Sequence, residues 1–159
     1  ARSPVHYAAL ITQAGRTLGP VLLQYPFYAG IMGIMVSTGL AAALASYCVA
    51  LASEGTLGFW AFLSGGVLNF FIPSGGGQWV VQGPIFLEAA ERLGTPAPEV
   101  IMGVAYGDQW SNLIQPFWTV PLLAIAGLPL QSVLRYSVIM FCCSGVFLGV
   151  ALLGLGHFG

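Results

Sequence analysis

Apolar residues run through this chain in long blocks, and polar residues fall in clusters between or inside them. From Pro26 to Ala52 there is no charge, and from Gly55 to Leu87 there is none either. At about 1.5 Å of rise per residue, blocks of this length match the ~30 Å hydrocarbon layer of a bilayer. The pattern predicts a helix over 26–52, crossing with some tilt, with Pro26 in its first turn. Small residues along it (Gly30, Gly33, Ser37, Gly39, Ala43) form a stripe where another helix can pack. A local unwinding at Ser37-Thr38-Gly39 is the alternative. Residues 1–19 read as an amphipathic or partial helix, with His6, Gln13 and Arg16 among apolar positions. Arg16 belongs to an interfacial helix or the tail of a preceding span or, alternatively, reaches a substrate.

The second block is interrupted. Asn69-Phe70-Phe71-Ile72-Pro73-Ser74-Gly75-Gly76-Gly77-Gln78-Trp79 places a proline, a serine, a glutamine and three successive glycines at membrane depth. Its halves, 57–71 and 78–91, are each about 20 Å long as helices, too short to cross alone. The element over 57–92 is therefore a re-entrant hairpin turning at Pro73 to Gly77, or a helix with an unwound middle. Backbone broken at that depth is buried in protein or lines a polar cavity, since lipid satisfies no N–H or C=O group. A second break is read at Gly107-Asp108-Gln109-Trp110-Ser111-Asn112, inside a discontinuous helix over 98–126 weakened by Pro116 and Pro121. The last span is 131–155, with Gly145, Gly149 and Gly154 as helix contacts.

Composition turns this pattern into a class. Only 6% of residues are charged and 57% are hydrophobic; soluble domains carry roughly 25% charged residues. The chain reads as an all-α, polytopic integral membrane protein with the lipid bilayer as its partner. The net charge of −1 leaves no basic face for nucleic acid. Cys48, Cys142 and Cys143 sit in apolar runs and read as packing residues. The sequence holds no Gly-x-Ser-x-Gly, no HExxH and no metal-spaced His/Cys set, and His6 and His157 lie at opposite ends. The chain is therefore expected not to be an enzyme and to need no cofactor. Beginning at Ala1 without a signal peptide, it reads as a fragment of a longer protein.

Candidate chemistry gathers at the breaks. Asn69, Ser74, Gly75, Gly76, Gly77 and Gln78 form a small-residue concavity at a helix N-terminus, where free N–H groups favour a substrate anion; a tight hairpin turn is the plainer reading. Asp108 is the sole charge between Glu99 and Arg135. With Gln109, Ser111 and Asn112 it supplies oxygens suited to a coupling ion, Na⁺ or H⁺; N-capping is the competing role. No other metal site is expected. Trp79, Trp110, Phe117 and Trp118 are candidates for the apolar wall of a short acyl chain. Two broken helices point to a secondary transporter. A passive anion channel and a non-transporting membrane subunit are the alternatives.

Gln24-Tyr25-Pro26-Phe27-Tyr28-Ala29-Gly30-Ile31-Met32-Gly33, the Asn69–Trp79 stretch, and Gly107 to Trp118 together resemble the short-chain fatty acid transporter family of bacterial permeases. The resemblance covers nearly the whole chain and corresponds to the C-terminal portion of a family member. It implies transport of acetoacetate, butyrate and similar monocarboxylates across the bacterial inner (cytoplasmic) membrane by a multi-pass protein; since residues 55–87 and 100–134 hold no Arg or Lys to pair with such an acid, a cation held near Asp108 would offset its charge, which favours cation symport. It also implies one half of an inverted-repeat transporter, a missing N-terminal half as partner, and a homodimer as the common superfamily assembly. The hairpin tip would be Pro73 to Gln78 and the unwound segment Gly107 to Asn112. The superfamily's dicarboxylate carriers have Ser-Asn-Thr at the hairpin; here Ser74-Gly75-Gly76 stands there, so their ion geometry does not carry over.

Overall fold

The computed structural model describes residues 3–15 and 18–158, and they are all-α. The helices are α1 (Pro4–Gly15), α2 (Leu18–Ser37), α3 (Leu40–Leu51), α4 (Leu57–Asn69), α5 (Gly75–Leu93), α6 (Ala97–Ser111), α7 (Pro116–Ala126) and α8 (Leu130–Phe158). Arg16, for which a substrate contact is the alternative reading, lies outside the described residues.

Helices α4, α5 and α6 form the centre. Ser64 Oγ donates to Gln82 Oε1 at 3.2 Å, and Gln78 Nε2 donates to the Gly65 carbonyl at 2.8 Å. These contacts require α5 to fold back along α4. Helix α6 then runs parallel to α4, because Gly103 meets Gly58 and Gly107 meets Phe62 and Gly66. The approach is backbone on backbone: a β-carbon on Gly107 would overlap the Phe62 carbonyl oxygen. Gly103 and Gly107 lie one turn apart, the spacing by which membrane helices pack most closely. Ala45 from α3, Leu57 and Ala61 from α4, Phe86 from α5 and Val100 from α6 fill the buried apolar cluster at this end.

Helix α8 packs antiparallel to α4. Gly145 lies against Trp110, Gly149 against Phe59 and Gly156 against the Gly55 backbone. Its other face is bare: Val146, Phe147, Val150 and Leu155 are 62–73% exposed. Among the described residues α8 alone is long and apolar enough to cross a membrane by itself, over Leu130–Gly156.

Several sequence expectations are corrected. The single helix over 26–52 does not form. Helices α2 and α3 meet at an angle of 60°, separated by Thr38 and Gly39, which takes a left-handed φ of 73°. Thr38 Oγ1 donates to the Ile34 carbonyl at 2.7 Å, holding the end of α2. Pro26 stands inside α2 rather than in its first turn. Gly30, Gly33 and Gly39 have nothing within 4 Å of a notional β-carbon, and neither does Gly154; among the described residues no neighbouring helix packs on the side-chain direction at these positions.

The second break is also displaced. Gly107 to Ser111 is helical, and the helix ends only at Asn112. Pro116 is the cause. It lacks an N–H and pushes the preceding residue out of the helical region, and Gln115 is accordingly extended, with φ −71° and ψ 117°. From Asn112 to Ile114 the chain tightens into turns, with Leu113 N bonded to Trp110 O and Ile114 N to Ser111 O, both at 3.2 Å.

Candidate functional site

The two breaks meet. Phe70 to Ser74 separates α4 from α5, and Asn112 to Gln115 separates α6 from α7. Asn69, fully buried at the end of α4, joins them. Its Nδ2 lies 3.1 Å from the Asp108 carbonyl, 2.8 Å from Ser111 Oγ and 2.8 Å from Asn112 Oδ1. Ser111 and Asn112 stand at the C-terminal end of α6, and the Asp108 carbonyl also accepts the Asn112 N–H at 3.3 Å. In return Gln115 Nε2 donates to the Asn69 carbonyl at 2.7 Å. Ser111, also buried, donates its hydroxyl toward the Gly107 and Asp108 carbonyls at 3.1 and 3.2 Å.

Ser74 caps α5. Its backbone is extended and its hydroxyl accepts the Gly77 N–H at 3.3 Å. The Gly75 and Gly76 N–H groups, at the positive end of the helix, have no partner among the described residues. Gly75 faces Asp108: a methyl group there would stand 3.6 Å from Asp108 Oδ2. Asp108 is half-buried, and its carboxylate has no hydrogen bond or ion pair among the described residues. An unopposed carboxylate beside a helix N-terminus is drawn to that positive end. Gly76 has nothing within 4 Å of a notional β-carbon and is exposed.

Two cavities share Gly75. One, of about 480 Å³, is lined by Gly75, Gln78, Trp79, Val104, Asp108 and Gln109 among others. The other, of about 420 Å³, is lined by Tyr25, Tyr28, Met32, Ser74, Gly75 and Phe117 among others. Gln78 is buried between α4 and α5, with Oε1 unpartnered; Asn69 Oδ1 and Gln82 Nε2 are likewise buried without a partner. Such atoms are unusual in a folded chain, and a water molecule or an ion is their common partner.

The residues named from the sequence therefore fall into groups. Gly75, Gln78, Asp108 and Gln109 border one cavity; Ser74 and Gly75 border the other. Asn69, Ser111 and Asn112 form the buried strap behind them. Gly77 serves the cap. Of the proposed aromatic wall, Trp79 lines the Asp108 cavity, while Phe117 and Trp118 line the other. Trp110 does not belong to it: its ring stacks on Phe141 at 4.1 Å and its indole N–H donates to the Phe141 carbonyl at 2.7 Å. It fastens α8 to α6.

Sequence reasoning missed Gln115, Tyr28 and Gln82. Gln115 is fully buried and accepts from Tyr28 Oη at 3.4 Å, tying α2 to the second break. A glutamine directly before a proline inside an apolar run was the available signal. Gln82, one turn beyond Gln78 on a buried face, could have been found by that i, i+4 spacing.

Comparison with known proteins decides the family. Residues 1–155 match the family model described as "Short chain fatty acid transporter". The chain belongs to the short-chain fatty acid transporter family. It is 39% identical over 151 residues to a protein of Escherichia coli strain K12 named as a candidate short-chain fatty acid transporter, covering 95% of this chain and 34% of that protein. It is 39% identical over 134 residues to a protein of the same name from Haemophilus influenzae, covering 84% of this chain and 30% of that one. The chain thus spans about a third of the length of the curated relatives it matches. No solved structure matches it. A transporter family is not an enzyme family, and among the described residues no group of His, Cys, Asp and Glu could hold a metal ion.

Proposed function

We propose that this chain forms one membrane domain of a polytopic secondary transporter, which carries short-chain monocarboxylates such as acetoacetate and butyrate across a bacterial inner membrane by cation symport. The observation that carries the reading is the meeting of two broken helices at Asn69, with a free helix N-terminus at Gly75 beside an unpartnered Asp108. Helix interruptions that converge inside an apolar bundle are where transporters bind substrate and ion. The family and the bare apolar face of α8 support a membrane setting.

The roles divide across Gly75. The free N–H groups at Gly75 and Gly76, with Ser74, receive the carboxylate of the substrate. Asp108, with Gln109 and the Gln78 carbonyl oxygen, receives the coupling cation, H⁺ or Na⁺. Asn69, Ser111 and Asn112 keep the Asp108 backbone in register. Helices α4 and α5 act as a re-entrant hairpin, and this repeat moves against the N-terminal part of the full-length protein, as a monomer or within a homodimer.

Labelled butyrate uptake by the full-length protein in proteoliposomes tests this. Saturable accumulation that needs a Na⁺ or a pH gradient is expected, and Asp108→Asn should abolish the gradient dependence. Equal uptake without any gradient would mean a passive pathway and would remove the coupling role of Asp108.

A further inference from the structure

The cavity on the far side of Gly75 from Asp108 has a build of its own. Its walls come from α2 and α7, and its polar edge from Ser74 and Gly75. Phe117, only 8% exposed, is held edge-on by Tyr25 at 5.1 Å, Tyr28 at 4.9 Å and Trp118 at 4.8 Å. Tyr25 and Trp118 form the rim, at 54% and 49% exposure. Met32, also in the lining, is the wall residue that packs against the buried cluster of Met35, Ala41, Leu68 and Ile72. Tyr28 and Met32 stand one turn apart on α2, about 6 Å along the axis.

We propose that this cavity takes the acyl chain of the carried acid, and that Met32 sets the longest chain accepted. The inference rests on the transport reading above. Charge and occupancy decide between the cavities: Asp108 repels a substrate carboxylate until it holds its cation, and the cation then fills that side, so the acid occupies the side of Gly75 that Asp108 does not line. No acidic or basic side chain is among those lining this second cavity. Its apolar walls and single polar edge match an acid with one charged end and a short hydrocarbon tail. Methionine at the core-facing side of the lining is deformable enough to follow tails of slightly different length.

The test is a competition series in proteoliposomes containing the full-length protein. Labelled butyrate uptake is inhibited with unlabelled acetate, butyrate, hexanoate and octanoate. Met32→Ala should move the preference toward longer acids, by about fourfold for each further methylene accommodated, the ratio that ~0.8 kcal/mol per buried methylene implies. Ala29→Leu adds bulk at an exposed position of the same lining and should move the preference toward acetate. Gradient dependence should be unchanged in both. If both variants transport with the wild-type order of acids, the cavity does not hold the chain and the proposal falls while the transport reading stands. If Met32→Ala fails to fold, Ala29→Leu decides alone. If the wild type takes up none of these acids, the transport reading fails, and the proposal with it.

Discussion

The amide of Asn69 is the residue on which the two breaks depend. Its side-chain NH2 offers two hydrogens to three acceptors across the interface, and the Asn69 backbone carbonyl accepts a further bond from Gln115 Nε2. Asn69→Ala would leave Asn112 Oδ1 without its donor and take one bond from the buried Ser111 Oγ, while the Asp108 carbonyl keeps the Ser111 hydroxyl and the Asn112 N–H. Leaving one such group unmatched costs roughly 1–3 kcal/mol. The melting midpoint of the purified full-length protein in detergent should therefore fall by several degrees. Asp108→Asn removes no hydrogen bond the side chain makes and should leave that midpoint nearly unchanged. A loss of transport in Asp108→Asn with unaltered stability would separate a functional group from a structural one.

At the scale of elements, the glycines divide by what lies next to them. Gly107 and Gly103 are pressed against the α4 backbone, while Gly76 is open. Gly107→Ala should push α4 and α6 apart and reduce the monodisperse fraction on size exclusion severely. Gly76→Ala should fold normally, with any effect confined to uptake. The sequence showed that both glycine groups sat near breaks, but periodicity says nothing of which partner lies opposite. For the same reason the sequence pattern puts the second break too early along the chain. Gly107 looks like a helix breaker in isolation, and it is a packing surface here, while Pro116 ends the helical ladder through the residue before it. The first break was legible because proline and three glycines act on their own backbone. The kink at Thr38–Gly39 was legible as an alternative only, since a continuous apolar run fits a straight or a bent helix equally well. Trp110→Phe, which loses the indole bond to the Phe141 carbonyl, should loosen α8 from α6 at a cost of about 1 kcal/mol.

For the whole molecule, the helix directions make a topology that can be tested residue by residue. Helix α5 returns along α4, so Ser53 before α4 and Glu91 near the end of α5 belong to the same end of the bundle. Thr95 Oγ1 donates to the Glu54 carbonyl at 2.9 Å, which ties these two loops together directly. Helix α8 is antiparallel to α4 and ends beside Gly55, so its first turn lies a membrane thickness away: Leu130 to Gly156 rises about 40 Å at 1.5 Å per residue. In a full-length protein with Cys48, Cys142 and Cys143 replaced by serine or alanine, Ser53→Cys and Glu91→Cys should react with an impermeant thiol reagent from one side of the membrane. Ser132→Cys should react only from the other. All three positions are exposed in the chain. Labelling of positions 53 and 91 from opposite sides would mean that α4 and α5 cross as one discontinuous span, and the re-entrant hairpin would be lost. Labelling of position 132 from the same side as 53 would mean that α8 does not cross, leaving its apolar face to cover another protein surface.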